Sequence, residues 1–237
     1  MLKTPLEIAA TLKKVKQIGY DAVQVSGMGK IDPAELAAIL DGEGLTCCAT
    51  HISLDLMRGN PGQVIEQHKL WRCQYTAIGS FKAESKEEWL KFAADYNAIA
   101  GQYEKSGLQI GYHNHSHELA HYDGTSALQL LIDHLNASVW MEIDTYWIVH
   151  GGGDPIQWIG KVAGRIPCVH LKDMAVTAER AQLMAEVGEG NLNWPGILSA
   201  CKKAGVKWYI VEQDICQRDP LESLEISSRN LKEMGME

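Results

Sequence analysis

The feature that most constrains this chain is a rhythm: a short apolar run, a loop, then an amphipathic helix, repeated seven times within 237 residues. Such alternation leads to a parallel sheet wrapped in helices, because each helix carries the chain back to begin another strand in the same direction. The apolar runs are Asp21 to Ser26, Leu45 to His51, Tyr75 to Phe81, Leu108 to His113, Val139 to Asp144, Cys168 to Asp173 and Trp208 to Gln213. Their punctuation is regular too. Thr4-Pro5, Asp32-Pro33 and Asp154-Pro155 pair a capping side chain with a proline at the first helical position, and Asn193-Trp-Pro195 starts a further helix. Gly19, Gly107 and Gly205 stand where helices stop.

A closed barrel of this kind has eight strands, whereas this sequence supplies seven and opens on a helix with no strand before it. The pattern therefore predicts an α/β fold, a (β/α)8 barrel over residues 1–237 as one domain, lacking its first strand. A doubly wound open sheet competes, but no Gly-rich dinucleotide fingerprint follows any of the runs. The simplest account is that the sequence as given begins after that strand; if the gap is real, the runs near Val23 and Ile210 face each other across an open seam. Unpaired strand edges must be covered or paired, so a homo-oligomer is expected.

Charge and composition narrow the partners. A formal charge of −8 and a pI near 5.6 offer no footprint for a polyanion, which argues against nucleic acid and for a small neutral or chelating ligand. The six cysteines show no C-x-x-C spacing, and Cys47 and Cys48 lie inside an apolar run, as buried thiols in a reducing compartment would. No segment approaches the ~20 apolar residues that span a bilayer, and no signal peptide opens the chain, so a cytoplasmic protein with no membrane partner is expected.

The chemistry is concentrated where the runs end. Leu108, Ile110 and Tyr112 alternate as a strand, and the chain then passes through His113, His115, His117 and Glu118. Three later runs finish in Asp144, His170 and Glu212. Singly, each has an ordinary reading: Asp144 as a helix cap, His170 as a hydrogen-bonded core histidine, Glu212 as a solvated strand terminus. Four successive strands ending in a metal-competent donor at the same register is a different matter. Alternation also sets Glu142 and Asp144 on one face, and two carboxylates pointing into a barrel need a cation or a protonated partner. Glu118, Asp144, His170 and Glu212 make one imidazole and three carboxylates, a set suited to one divalent ion among Mn²⁺, Mg²⁺, Co²⁺, Fe²⁺ and Zn²⁺.

On Tyr112-His-Asn-His115 with Glu118, Asp144-Thr-Tyr-Trp147 with Gly152-Gly-Asp-Pro155, Val169-His-Leu-Lys-Asp173, Val187-Gly-Glu-Gly190 and Ile210-Val-Glu-Gln-Asp214, the sequence resembles the sugar phosphate isomerase/epimerase, or xylose isomerase-like, TIM barrels. The resemblance covers nearly the whole chain. It implies a single divalent metal, Mn²⁺ first, held by Glu118, Asp144, His170 and Glu212. Many relatives carry a glutamate at the end of the fifth strand, where this chain has His113, so His113 or His115 stands as the alternative first ligand.

The implied activity is that of an isomerase or epimerase, removing a proton beside the carbonyl of a sugar, keto-sugar or sugar phosphate through an enediolate. A lyase or hydratase acting on 3-keto-glycosides would share that first step. An apurinic-site endonuclease of the same superfamily would want a basic crescent, which the acidic charge argues against, and a non-catalytic sugar-binding barrel would hold no cation. For the catalytic roles, His115 is the first choice of base, with Glu212 or Glu142 next, and Lys172 would meet a substrate oxyanion. His51, His113 and Glu142 would line the substrate pocket, with Trp147 as an apolar wall for a sugar ring. Gly188-Glu-Gly190 would shape a loop over the site.

Overall fold

The computed structural model describes residues 4–236. Seven parallel strands form one sheet: β1 (Ala22–Val25), β2 (Thr46–His51), β3 (Tyr75–Ile78), β4 (Gln109–His113), β5 (Trp140–Asp144), β6 (Cys168–Leu171) and β7 (Trp208–Val211). Neighbours pair in sequence order, all parallel. That order belongs to a rolled barrel, because a doubly wound sheet reverses direction at a switch point.

The barrel is nearly closed. No pairing joins β1 to β7. Both are half-buried along their length, whereas β3, β5 and β6 are buried throughout. This is the seam expected from the missing strand, and among the described residues no strand precedes β1. The helical layer continues across it: Pro5–Ile18 packs on Pro220–Glu233, and the Tyr20 hydroxyl donates to the Leu224 carbonyl at 2.9 Å.

The capping signals work as written. Thr4 and Glu7 close a reciprocal capping box, and Asp32, Asp154 and Asn193 each accept a backbone N–H of the first helical turn. Two segments differ from expectation. The helix expected over Gln63 to Cys73 is preceded by another, Leu54–Gly59, and itself begins earlier, at Pro61. Pro61 lacks the N–H that continuing the first helix requires, and the Asn60 side chain caps the second. The chain after His170 does not leave the barrel as a plain loop. Asp173–Val176 pairs antiparallel with Gln182–Ala185 as a hairpin beside the rim.

Two packed layers position the site. Outside the sheet, Ile110, Tyr112, Met141, Ile143, Val169 and Leu171 bury against the helices. Inside, Cys48, Tyr75, Trp140 and Cys168 fill the lower barrel with Trp208 and Ile210. Trp140 lies directly over Gly111, where any Cβ would overlap the indole. The inward face of β5 thus climbs from Trp140 through Glu142 to Asp144, from apolar floor to charged rim. All six cysteines are free, five of them buried. Among the described residues no helix is long and apolar enough to cross a membrane.

Candidate metal centre

At the C-terminal rim, four side chains from β4, β5, β6 and the end of β7 converge: His113, Asp144, His170 and Glu212 each offer one ligand atom, all within 4.8 Å of one another. Glu212 Oε2 lies 2.9 Å from His170 Nδ1, and Asp144 Oδ2 lies 3.4 Å from His113 Nε2 and 3.6 Å from His170 Nδ1. Yet His113 Nε2, Asp144 Oδ2 and His170 Nδ1 are buried without a hydrogen-bond partner. Polar atoms buried together and unbonded are costly, unless they share a cation, so this donor set fits a divalent ion. Two imidazoles and two carboxylates suit Zn²⁺, Mn²⁺, Co²⁺ or Fe²⁺.

The other atoms of these residues are already held, which aims the free ones. His113 Nδ1 donates to the Gly79 carbonyl at 3.1 Å, leaving Nε2 with its lone pair toward the cluster. Asp144 Oδ1 accepts the Trp147 N–H at 2.9 Å and caps the Thr145–His150 helix, while Oδ2 faces the site. The cap reading of Asp144 is met by Oδ1, which leaves Oδ2 to face the cluster. Asn114 locks the two strand ends together by accepting the Asp144 N–H at 3.1 Å.

Carboxylates and cationic groups face one another within the site. Burial pushes the carboxyls of Asp144 and Glu212 up, but Lys172 and the histidines outweigh it and hold both well below the usual carboxylate range. Burial likewise pulls His170 down, and Glu142 and Glu212 reverse it, so in the ion-free protein the ring is held protonated. A cation held by His113, Asp144, His170 and Glu212 would displace that proton. Lys172 is buried, with Nζ 2.7 Å from Asp214 Oδ2, 2.8 Å from Glu212 Oε2 and 3.2 Å from Asp144 Oδ2. Its ammonium is committed to three carboxylates, not to an open oxyanion position.

Glu118 corrects an expectation. It is fully buried, but Oε1 accepts the Tyr112 hydroxyl at 2.7 Å and Oε2 the His115 N–H at 2.8 Å. Tyr112 points outward into the helical layer, so Glu118 sits behind the rim, and His113 occupies the inward position on β4. The alternation of Ile110 and Tyr112 already carried that signal, since it assigns His113 to the opposite face.

A second cluster, His51, Glu142 and His170, also meets ligand spacing. Its atoms are saturated instead: Glu142 Oε2 binds His51 Nε2 at 2.6 Å and Oε1 binds Gln24 Nε2 at 2.8 Å. Glu142 and His51 thus form a hydrogen-bonded underlayer to the ligand group. Gln24, from β1, was not singled out from the sequence; its signal is an amide flanked by Val23 and Val25 in a short apolar strand.

His115 and Trp147 face each other with ring centroids 5.2 Å apart, and His115 Nδ1 and Trp147 Nε1 are both without partners. Burial first, then neighbouring His113, lowers His115 to about 4, so it is a neutral imidazole at physiological pH. Glu212 is 37% exposed, which puts the solvent side of the cluster there. Asp173 pins the Val187–Gly190 stretch, its carboxylate accepting the Gly188 and Gly190 N–H groups at 2.9 and 3.0 Å.

The family model described as the xylose isomerase-like TIM barrel matches residues 12–234. The chain belongs to that family. Among curated members, an inosose dehydratase of Clostridium beijerinckii is 31% identical over 119 residues, 47% of this chain and 39% of that protein. An inosose dehydratase of Serratia proteamaculans is 24% identical over 257 residues, covering 91% of this chain and 86% of its own length. The first of these matches therefore spans well under half of the relative it aligns with. A solved sugar phosphate isomerase/epimerase of Parabacteroides distasonis superposes with a TM-score of 0.80 at 21% identity, covering 96% of this chain and 88% of that one. That likeness establishes the barrel fold.

Proposed function

We propose that this xylose isomerase-like barrel is a divalent-metal-dependent enzyme that removes the proton beside the carbonyl of a keto-sugar or cyclic keto-polyol. One observation carries the reading: His113 Nε2, Asp144 Oδ2 and His170 Nδ1 are buried and convergent without a hydrogen bond of their own, with Glu212 beside them. A cation bound there supplies a Lewis acid for the substrate carbonyl.

The chain's own residues supply the rest. His115, neutral and half-buried next to the ligand group, is the base that accepts the substrate proton. The Trp147 indole lends its face to the sugar ring. Lys172 holds Asp144 and Glu212 in their ionised form.

After proton removal, loss of a neighbouring hydroxyl gives dehydration, and return of the proton on the other face or at the next carbon gives epimerisation or isomerisation. Relatives called inosose dehydratase favour the first outcome, and the isomerase/epimerase reading is the second. Protein loaded with Mn²⁺ and incubated in deuterium oxide with a panel of inososes, ketoses and 3-keto-glycosides separates them. Solvent deuterium entering the substrate is the shared step, and an unsaturated product lighter by one water, the leaving hydroxyl having taken up a proton, identifies the dehydratase by mass spectrometry. His115→Ala is expected to abolish exchange while retaining the metal. Absence of exchange across the panel counts against the proposal.

A further inference from the structure

Gln24 lies on β1, at the open seam, yet its side chain reaches across the barrel interior to β6. The tautomer of His170 follows from how that amide is held. Gln24 Nε2 lies 2.8 Å from Glu142 Oε1, an oxygen of a buried carboxylate that can only accept. The nitrogen end of the amide is therefore fixed on Glu142, whose other oxygen is held by His51 Nε2 at 2.6 Å. Turning the amide over would set two acceptor oxygens against each other. With that end fixed, Gln24 Oε1 faces His170 Nε2 at 2.6 Å. A carbonyl oxygen accepts and never donates, so His170 Nε2 must carry a hydrogen.

Once a cation takes the place of the second proton, the imidazole is neutral and has one N–H. With it spent on Gln24, the lone pair is left at Nδ1, the atom that lies 2.9 Å from Glu212 Oε2 and 3.6 Å from Asp144 Oδ2 and has no hydrogen bond. We propose that Gln24 is a positioning residue of the metal centre: oriented by Glu142, it fixes His170 as the Nε2–H tautomer and turns Nδ1 toward the cation. The inference rests on the metal reading above and adds to it the device that keeps the ligand ready. It also gives the seam a consequence, because the shared hydrogen bond ties β1 to β6 where no backbone pairing joins the two ends of the sheet. Partners of this sort orient a ligating histidine, and removing one weakens metal binding by about 10- to 100-fold.

The test uses the full chain as wild type and as Gln24→Met, which keeps length without an acceptor, with far-UV circular dichroism to show that both are folded. Zn²⁺ binding is measured by calorimetry with chelator competition, and the tautomer of His170 is read by long-range ¹⁵N NMR of histidine-labelled, Zn²⁺-loaded protein. The expected result is a bound His170 with hydrogen on Nε2 in the wild type, and a loss of about 10- to 100-fold in Zn²⁺ affinity with a changed Nε2 signal in folded Gln24→Met. Gln24→Met binding Zn²⁺ as tightly as the wild type with an unaltered Nε2–H signal overturns the positioning role while leaving the metal centre standing. A wild type that takes up no Zn²⁺ overturns the metal centre and this inference together.

Discussion

Replacing Asp173 should loosen the rim without touching a proposed ligand. Its carboxylate is fully buried and accepts five donors: Met174 N at 2.8 Å, Gly188 N at 2.9 Å, Gly190 N at 3.0 Å, Leu192 N at 3.2 Å and Trp194 Nε1 at 2.6 Å. Two of these, Met174 N and Trp194 Nε1, are in buried bonds, and the other three are part-buried. In Asp173→Ala each buried donor left alone costs ~1–3 kcal/mol, and the part-buried ones, which water can reach, cost less. The sum is about 3–6 kcal/mol, a large share of the ~5–15 kcal/mol that stabilises a typical domain. Asp173→Asn does not escape. Oδ2 serves three donors and Oδ1 two, so either orientation of the amide sets an NH₂ group against at least two N–H groups. Urea unfolding at neutral pH measures the loss, and amide exchange at Gly188 and Gly190 locates it. A loss under about 1 kcal/mol in both variants, with those amides still protected, would refute the reasoning.

Gly111→Ala should destabilise strongly, because the added Cβ meets the Trp140 ring inside a packed barrel; about 1–3 kcal/mol or more is expected from thermal or urea unfolding, and a neutral effect contradicts the packing described. His68 is buried with Nδ1–H donating to the Val64 carbonyl and Nε2 accepting the Thr50 hydroxyl, both at 2.7 Å, and burial lowers its pKa. The folded state therefore resists a proton that the unfolded chain takes up near pH ~6.5. Its contribution to stability is complete above that pH and lost progressively as the pH falls. His68→Gln should show a shallower loss of stability on acidification than the wild type, and parallel slopes contradict the assignment.

Much of the site could be read before folding because strand parity and strand ends are local properties. Asp144, His170 and Glu212 each end an apolar run, and parallel strands in register bring such ends to one rim. Glu118 was misplaced because it follows β4 by five residues, through a turn whose direction depends on Tyr112 and His115, contacts that spacing does not encode. Lys172 looked like a substrate contact because its partners, Glu212 and Asp214, lie some forty residues on. The Asp173–Ala185 hairpin was hidden because its alanine-rich sequence holds no Gly, Pro or Asn to mark the turn, and Gln24 by being one amide in a four-residue strand. The seam was legible from the strand count alone.

The central claim is that four side chains from separate strands share one cation. Anomalous diffraction from crystals grown with Mn²⁺ tests it most directly. One peak within bonding distance of His113 Nε2, Asp144 Oδ2, His170 Nδ1 and a Glu212 oxygen, with none beside Glu118, is the expected result. No ordered ion at saturating Mn²⁺, or an ion seated between His51 and Glu142 instead, contradicts the account.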